Sequence, residues 1–291
     1  MRKLSAQFLT LATKQKGTGP LAIGHRLLAT SLLHTGDIAD CRAHFDQAIA
    51  LYEPVEHRPL AIRFSQDVGV TIFSFRSLAL WVLGYPEAAL ADTDHAVRHA
   101  REIGQAAALM YALNLTSLVL VFCGNHVAAN TQCEELVALA DEKGGAFWKA
   151  SGMLRQGCLV ALAGKPSDAV RLIASGITAY RSTEATMWLP FYLSQLASAY
   201  AELGQFDDSW RCIGEAMTVA ETTKERWCDA EINRVAGEIA LKSPDAGPLN
   251  AEECFERGLA LVKESTTTTP FPKATRQGHK RGIQPGTFAA I

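Results

Sequence analysis

The histidines at positions 95 and 99 have a spacing that could support metal chemistry. A separation of four residues places both imidazoles on one face of a helix, and a pair so placed can hold a metal ion. No third ligand is near them in the sequence, and the repeat units described below carry apolar residues at the position of His99. We therefore interpret His95 and His99 as partly buried histidines and expect no metal site.

Adjacent carboxylates are the second group of residues with chemical potential. Neighbouring residues on a helix point in different directions, so such pairs do not converge on one substrate atom. We interpret them as solvated or helix-capping acids; they are Asp207 and Asp208, Glu134 and Glu135, and Glu252 and Glu253. The stretch GGAFWKAS at 144–151 lacks the second glycine and the Lys-Ser/Thr pair of a phosphate-binding loop. The sequence predicts no catalytic residue, no cofactor and no enzymatic activity.

The seven cysteines form no C-x-x-C motif and are odd in number. Neither a zinc site nor a complete disulfide framework is therefore indicated. Most of them occupy repeat positions that other units fill with small or aliphatic residues, as Cys41 and Cys133 show. We interpret them as small buried hydrophobic residues in a reducing compartment.

Composition and charge restrict the partners. With 291 residues, 48% of them hydrophobic and 20% charged, the chain can bury a substantial core. A formal net charge of −2 gives no attraction to nucleic acid. The most apolar stretch, LVLVFC at 118–123, is too short to span a bilayer, and polar residues interrupt the N-terminal apolar stretch. We expect a cytoplasmic protein that binds neither nucleic acid nor membrane.

A repeat of helical hairpins is predicted to position the histidines, acids and cysteines described above. Five glycines occupy similar surroundings at spacings of 48, 40, 40 and 40 residues: Gly36, Gly84, Gly124, Gly164 and Gly204. In every unit the residues seven before and five after the glycine are small, and those four before and 13 after are apolar. This spacing follows the helical period, and small residues let two helices approach closely. Each unit is predicted to be helix A, a glycine turn and helix B.

Acidic residues and prolines support the predicted start of helix B. Carboxylates cap free amides there and complement the helix dipole, and proline suits a first helical turn. The acids are Asp37, Glu87, Asp168, Asp207 and Asp208, and the prolines are Pro86 and Pro166.

The pattern of two small positions flanking an L-G-type turn resembles the tetratricopeptide repeat. The unit of about 40 residues is longer than the usual one of roughly 34 residues. The resemblance implies an all-α, right-handed superhelical solenoid of about five to six tetratricopeptide-like helix-turn-helix hairpins. It also implies that helix A lines a concave groove.

A narrower resemblance is carried by the segments GHRLLATSLLHTGD, FDQAIALYEPVEHRPLAIRFSQDVGV, LALWVLGYPEAAL and AEECFERGLALV. They look like a repeat region in the C-terminal part of bacterial adenylate cyclases and transcriptional-regulator ATPases. In those proteins the cyclase, DNA-binding and ATPase modules lie upstream, and this chain contains none of their motifs.

The expected organisation has three parts. Residues 1–16 resemble a helix B without its helix A, and the unpaired apolar face predicts a homodimer as one way to cover it. Residues 20–262 form the solenoid, with a sixth hairpin from about 226 to 262. Residues 263–291 are rich in Thr, Pro and basic residues, and we expect them to be disordered, as the truncated or frame-shifted end of a longer ancestral chain.

The resemblance assigns the lining of the groove position by position. The residues are Arg26, Thr30, Ser74, Leu78, Trp81, Asn114, Leu118, Leu154, Cys158, Ser194 and Ser198. This lining is neutral, and only Arg26 and Asn114 suit a clamp for a carboxylate, so the sequence gives little support to a clamp. Packing of the same residues against neighbouring helices remains the alternative.

The function predicted from these observations is a protein-interaction scaffold that binds a protein or peptide partner. The alternative is a detached regulatory or sensor arm of an adenylate cyclase or signalling ATPase. Such an arm would bind a small ligand or a separate cyclase, ATPase or transcription-factor module.

Overall fold

The structure of the chain is a computed structural model that describes residues 1–15, 17–57, 59–61, 66–243 and 249–266. The regular elements of these residues are helices, and no strand occurs among them. In chain order they are α1 (Arg2–Ala12), α2 (Gly19–Thr35), α3 (Ile38–Ala50), α4 (Pro54–His57), α5 (Val68–Val82), α6 (Pro86–Ile103), α7 (Ala106–Phe122), α8 (His126–Glu142), α9 (Ala146–Leu162), α10 (Pro166–Arg181), α11 (Leu189–Glu202), α12 (Phe206–Thr223), α13 (Asp229–Lys242) and α14 (Ala251–Thr266).

These helices pair into the expected hairpins, which confirms the prediction of an all-α solenoid. The pairs of helix A with helix B are α2 with α3, α5 with α6, α7 with α8, α9 with α10, α11 with α12, and α13 with α14. Helix α1 packs against α2 in the way that a preceding helix B would. The longer first spacing is explained by the connection between α3 and α5, because it contains the additional short helix α4.

The small residues of the repeat lie where helix A meets helix B. Those five positions after each turn glycine are fully buried: Cys41, Ala89, Ala129, Ala169 and Ser209. In the fifth hairpin the hydroxyl of Ser209 donates a hydrogen bond to the carbonyl of Ala197, its small counterpart on helix A, at 2.6 Å. A Cβ on Gly157 would lie 2.6 Å from Cγ1 of Ile173. The hairpins therefore close only because these side chains are small.

A residue with a positive φ follows or caps each helix, at intervals of 20 residues from position 84 to position 224. Six of these positions hold glycine, with positive φ at no steric cost: Gly84, Gly104, Gly124, Gly144, Gly164 and Gly204. The other two hold Glu184 and Lys224, each with φ of 61°. A positive φ therefore occurs in the connections within hairpins and in those between hairpins, and at two of these positions the residue is not glycine.

Replacing Lys224 by glycine is expected to raise the free energy of unfolding by about 0.5–1 kcal/mol, because a side chain is strained in this conformation. The side chain of Lys224 is exposed and forms no ion pair in the described part of the chain, so little else changes. Glu221→Gly, in the regular helix just before it, is the matched control and should lower stability by about 1 kcal/mol. Urea unfolding of both variants measures the difference, and destabilisation by Lys224→Gly would contradict the expectation.

The start of helix B differs in one respect from the prediction. Pro86 and Pro166 do occupy the first helical turn, and Glu87, Asp168, Asp207 and Asp208 also lie in first turns. None of these helices, however, has a side-chain capping hydrogen bond, and Asp37 also makes none. The acids therefore complement the helix dipole without capping. A capping carboxylate occurs at Asp67, where Oδ1 accepts a hydrogen bond from the amide of Val70 at 2.9 Å.

The helices A form the inner surface of the solenoid. Each of them packs directly on helix A of the next hairpin, and the described residues show no comparable packing between successive helices B. The curvature brings the two ends of the array together, because α3 of the first hairpin contacts α14 of the last one. The amide of Arg226, just before α13, donates a hydrogen bond to the carbonyl of His34 at the end of α2, at 2.6 Å.

The sixth hairpin extends slightly beyond its expected limit. Helix α14 continues to Thr266, four residues past the predicted end of the solenoid. The remaining part of the segment expected to be disordered, residues 267–291, lies outside the described residues.

Candidate functional site

The inner surface contains the residues predicted to line a groove, but most of them are covered. Eight of them are less than 9% exposed: Arg26, Ser74, Leu78, Asn114, Leu118, Leu154, Cys158 and Ser194. Thr30, Trp81 and Ser198 remain partly exposed. The direct packing of successive helices A explains the burial, because their side chains fill the space that a wider groove would leave open.

The two buried serines of this set form hydrogen bonds within their own helices. The hydroxyl of Ser74 donates to the carbonyl of Val70 at 2.7 Å, and the hydroxyl of Ser194 donates to the carbonyl of Phe191 at 2.7 Å. These bonds stay within one helix and favour a packing role for both serines. Partner binding by the predicted set stays a prediction, and its accessible members are Thr30, Trp81 and Ser198.

Aromatic side chains at the ends of α5, α7 and α11 and in the connections before α11 and α13 pack on one another. We call them the aromatic cluster: Trp81, Phe122, Trp188, Phe191 and Trp227. Ring centroids lie 4.3 Å apart for Trp81 and Phe122, 5.6 Å for Phe122 and Phe191, and 4.8 Å for Trp188 and Trp227. Trp81 and Trp227 are partly exposed. Amphipathic rings with one accessible edge are typical of surfaces that bind other proteins.

A buried carboxylate, Glu225, joins the two ends of the array beside this cluster. It is 3% exposed, and both oxygens accept the amide of Trp188 at 3.0 Å. Oε1 also accepts Nε1 of Trp227 at 2.6 Å and lies 3.7 Å from Nδ1 of His34. Trp188 adopts a positive φ of 72°. Glu225 therefore links two of the three tryptophans of the cluster, one of them with a positive φ, to the first hairpin.

Two arginines on the first helices of their hairpins are buried, Arg26 on α2 and Arg155 on α9. Nη1 of Arg155 donates to Oδ1 of Asn114 at 2.7 Å and to the carbonyl of Ser151 at 3.2 Å. Arg26 is 8% exposed, and burial lowers its pKa from the ordinary value. Sequence alignment brought out Arg26 and Asn114 but missed Arg155, because the repeat places Leu154 in the lining position.

The histidine pair on α6 contacts protein groups. Nε2 of His99 lies 2.9 Å from the hydroxyl of Tyr52 and 3.4 Å from Oδ1 of Asp67. The ring of His95 packs against Phe73 with centroids 4.0 Å apart, and burial, with the nearby charge of His99, lowers the pKa of His95. Within the described residues, no group of three potential ligands is placed to hold a metal ion.

Neither the paired acids nor the buried Cys158 has the surroundings of a catalytic group. Glu134 accepts a hydrogen bond from Asn130 on its own helix, whereas Glu135 pairs with Arg101 on α6, so the two carboxylates do not converge. Burial raises the pKa of the Cys158 thiol to about 12, which leaves little thiolate at neutral pH.

A cavity of about 240 Å³ lies between α12, α13 and α14. Its lining combines apolar and charged side chains: Met217, Ala220, Glu221, Arg226, Asp229, Ile232, Asn233 and Arg257. Burial raises the pKa of Asp229 to about 6, despite the opposing charge of Arg226. Asp229 is the group of this cavity whose charge changes near neutral pH.

The Asp229→Asn variant is expected to be more stable than the wild type by about 2 kcal/mol at pH 7. The folded pKa of about 6 exceeds the ordinary value of 3.8, so the native state binds the proton more tightly. The folded state favours the protonated form of Asp229, which is fully present below about pH 4. As the pH rises from about 4 to about 6 this carboxyl ionises, and the free energy of unfolding falls. Urea unfolding at pH 4 and pH 7 tests this, with Asp207→Asn, at an exposed acid of α12, as control. An equal difference at both pH values would contradict it.

The tryptophans that follow the connections between hairpins carried a signal that the sequence alignment overlooked. Trp148 and Trp188 are separated by one repeat of 40 residues, and each follows the left-handed turn residue at 144 or 184 by four positions. Trp227 follows the turn residue at 224 by three. Tracking the turns at both ends of each helix would have located this set.

Comparison with known proteins agrees with the fold. A sequence model of the tetratricopeptide repeat matches residues 22–47, within α2 and α3. Among curated proteins, none matches this chain. The family match covers one hairpin. Together with the fold, it places the chain in the class of tetratricopeptide-like helical-repeat proteins.

Two solved structures share this architecture. The apo form of RapI superposes with a TM-score of 0.54 at 9% identity, covering 84% of this chain and 83% of that one. Aspartyl phosphate phosphatase F from Bacillus subtilis superposes with a TM-score of 0.55 at 12% identity, covering 88% of this chain and 64% of that one. At this level of identity the similarity concerns the fold.

Proposed function

We propose that this chain is a protein-interaction scaffold whose inner surface binds a segment of a protein partner. The observation that carries the proposal is the aromatic cluster, to which α5, α7 and α11 on that surface contribute side chains. Two of its five tryptophan and phenylalanine side chains, Trp81 and Trp227, keep an accessible edge. Thr30 and Ser198 on the same set of helices are also accessible.

The stacked hairpins support this proposal in physical terms. Each hairpin contributes one helix to a continuous surface, which suits an extended segment better than a small substrate. Aromatic side chains at such surfaces supply a large contact area at low cost in side-chain entropy. Tetratricopeptide-like folds commonly bind proteins or peptides, which supports the same function.

Site-specific photo-crosslinking in cells tests the proposal. A photoreactive phenylalanine analogue is placed at Thr30 or Ser198 on the inner surface and, as a matched control, at the exposed Thr131 on helix B α8. The proposal predicts one saturable protein adduct at the two inner positions and none at Thr131. Equal labelling at all three positions, or none at the inner ones, would contradict it.

The proposal extends to the identity of the partner and to the cellular compartment. The sequence resemblance favours a cyclase, ATPase or transcription-factor module, which mass spectrometry of the adduct identifies directly. The described cysteines are all free, which supports a reducing cytoplasm. None of the described helices has the length and apolar character needed to cross a bilayer.

A homodimer through α1 is a separate proposal. Leu4 and Leu11 on this helix are 72% and 59% exposed, so an apolar strip faces solvent beside the first hairpin. If a second copy covers this strip, Leu4→Glu should convert the dimer to a monomer in light scattering, whereas the control Leu241→Glu on α13, 70% exposed, should not. A wild-type monomer at high concentration would contradict the proposal.

A further inference from the structure

The cavity between α12, α13 and α14 contains a carboxylate that lacks a hydrogen-bond donor among the described residues. It belongs to Asp229, in the first turn of α13, whose side chain is 18% exposed. Nη1 of Arg226 lies 3.8 Å from its Oδ2, which is too far for a hydrogen bond. A carboxylate shielded from water normally accepts hydrogen bonds from protein groups. The arrangement therefore leaves room for a donor from outside the chain.

The packing of the outer helices explains the cavity. Successive helices B do not pack closely in the described part of the chain, so a gap separates α12 from α14, and α13 closes its base. Two apolar residues of the lining are buried, Ala220 at 6% and Ile232 at 1% exposure. The volume of about 240 Å³ lies below the range of about 300–1,000 Å³ that is typical for drug-sized ligands. The cavity therefore suits a smaller molecule with an apolar part.

A gap of the same kind between α6 and α8 lacks this combination. Its charged lining residues are all exposed: Asp94, Arg98, Arg101 and Glu102. Exposed charges are solvated and gain little from a further partner. The cavity beside α13 differs because its carboxylate is shielded and lies next to buried apolar residues.

The charges around Asp229 favour a cation over an anion. Glu225, in the connection before α13, and Glu221, on α12, are the neighbouring acids. The arginines of the lining, Arg226 and Arg257, are 56% and 51% exposed, and each already has a carboxylate oxygen nearby, at 3.8 Å and 3.5 Å. Exposed ion pairs contribute little, so both side chains can turn towards solvent at low cost. An anion in the cavity would meet the shielded carboxylate instead.

We propose that this cavity binds a small amphipathic amine, with its ammonium group on the carboxylate of Asp229 and its hydrocarbon chain against Ala220 and Ile232. An ammonium group carries three donors and no acceptor, which supplies what this carboxylate lacks. Burial raises the pKa of Asp229 to about 6, so the carboxylate is ionised and ready for a cation above that pH. The site is separate from partner binding at the inner surface and goes beyond the proposed function.

Titration of the full-length chain with hexylamine, followed by ligand-observed NMR, tests the inference. Hexanol and hexanoate carry the same hydrocarbon chain with a neutral or an anionic head group. At pH 7 the wild type is expected to bind hexylamine at least about ten times more tightly than hexanol, and not to bind hexanoate. Between pH 7 and pH 5 the affinity for hexylamine should fall about tenfold, because Asp229 becomes protonated while the amine, with a pKa of about 10, keeps its proton.

Two variants of the cavity should change the affinity in opposite directions. Asp229→Asn should weaken binding of hexylamine at pH 7 by about tenfold or more. Because this variant is expected to be more stable than the wild type, unfolding cannot cause the loss. Arg226→Gln removes a competing cation and should strengthen binding by about two- to fivefold. Asp207→Asn, at an exposed acid of α12, is the matched control and should bind as the wild type does.

Several outcomes would overturn the inference. They are unchanged binding by Asp229→Asn, equal affinity for hexanol, and no saturable binding of hexylamine by the wild type. Tighter binding of hexanoate, or weaker binding of hexylamine by Arg226→Gln, would make the arginine the recognition group and overturn it as well. None of these results affects the proposed function, which the photo-crosslinking experiment tests at the inner surface.

Discussion

The Glu225→Ala variant should lose about 3 kcal/mol of its free energy of unfolding. Its carboxylate is buried and accepts hydrogen bonds from the amide of Trp188 and from Nε1 of Trp227. Removing it leaves the buried amide of Trp188 without an acceptor, in a residue whose positive φ is already strained. It also removes the group beside His34, where the first hairpin meets the last. Urea unfolding followed by circular dichroism measures the loss.

Glu215→Ala is the matched control for this variant. Glu215 on α12 pairs with Arg181, and both side chains are about two-fifths exposed, at 42% and 43%. Exposed ion pairs contribute little, so the control should lose less than about 1 kcal/mol. Similar losses in the two variants would mean that the contact between the first and last hairpins adds no stability.

Replacing Gly157 by leucine is expected to destabilise the chain by about 3 kcal/mol. A Cβ at this position would lie 2.6 Å from Cγ1 of Ile173 and 3.1 Å from its backbone nitrogen. The backbone of α10 cannot yield as a flexible side chain can, so the fourth hairpin would have to open. Leucine is a better helix former than glycine, and that gain of about 1 kcal/mol only partly offsets the clash.

Gly214→Leu is the matched control, because the same substitution is expected to raise the free energy of unfolding there. Gly214 lies within α12, and nothing is found within 4 Å of a Cβ built there. Leucine should therefore stabilise this helix by up to about 1 kcal/mol through its higher helix propensity. Thermal or urea unfolding of the two variants side by side tests the assignment of Gly157 to the tight seam. A destabilisation at both positions would show that helix packing is not the cause.

The hairpins could be predicted from the sequence because their determinants are local. Small residues such as Ala89 and Gly157 recur at fixed distances from a turn glycine, and Gly157 lies against the second helix of its own hairpin. The turns at Glu184 and Lys224 were not recognised, since the left-handed conformation occurs there without glycine. Conformation at these positions is imposed by the flanking helices, which local residue type does not reveal.

The candidate site was less predictable than the hairpins. Alignment assigned Arg26 and Asn114 to the groove lining together with nine other residues, but it could not show that most of these side chains are buried. Whether a groove stays open depends on the rotation accumulated over several hairpins, and no single pair of residues encodes that quantity. The contact of Glu225 with the first hairpin is missed for the same reason, because it joins residues almost 200 positions apart.

The contact between the first and last hairpins limits how this sequence can evolve. An open solenoid gains or loses units freely, because each unit touches only its neighbours. Here the rotations of the intervening units must return Arg226 to His34. Duplication of a unit between them would move Glu225 and Arg226 away from His34 and break the contact between the two ends of the array. Natural variants should therefore accumulate substitutions on the outer helices and keep the number of units between these two contacts unchanged.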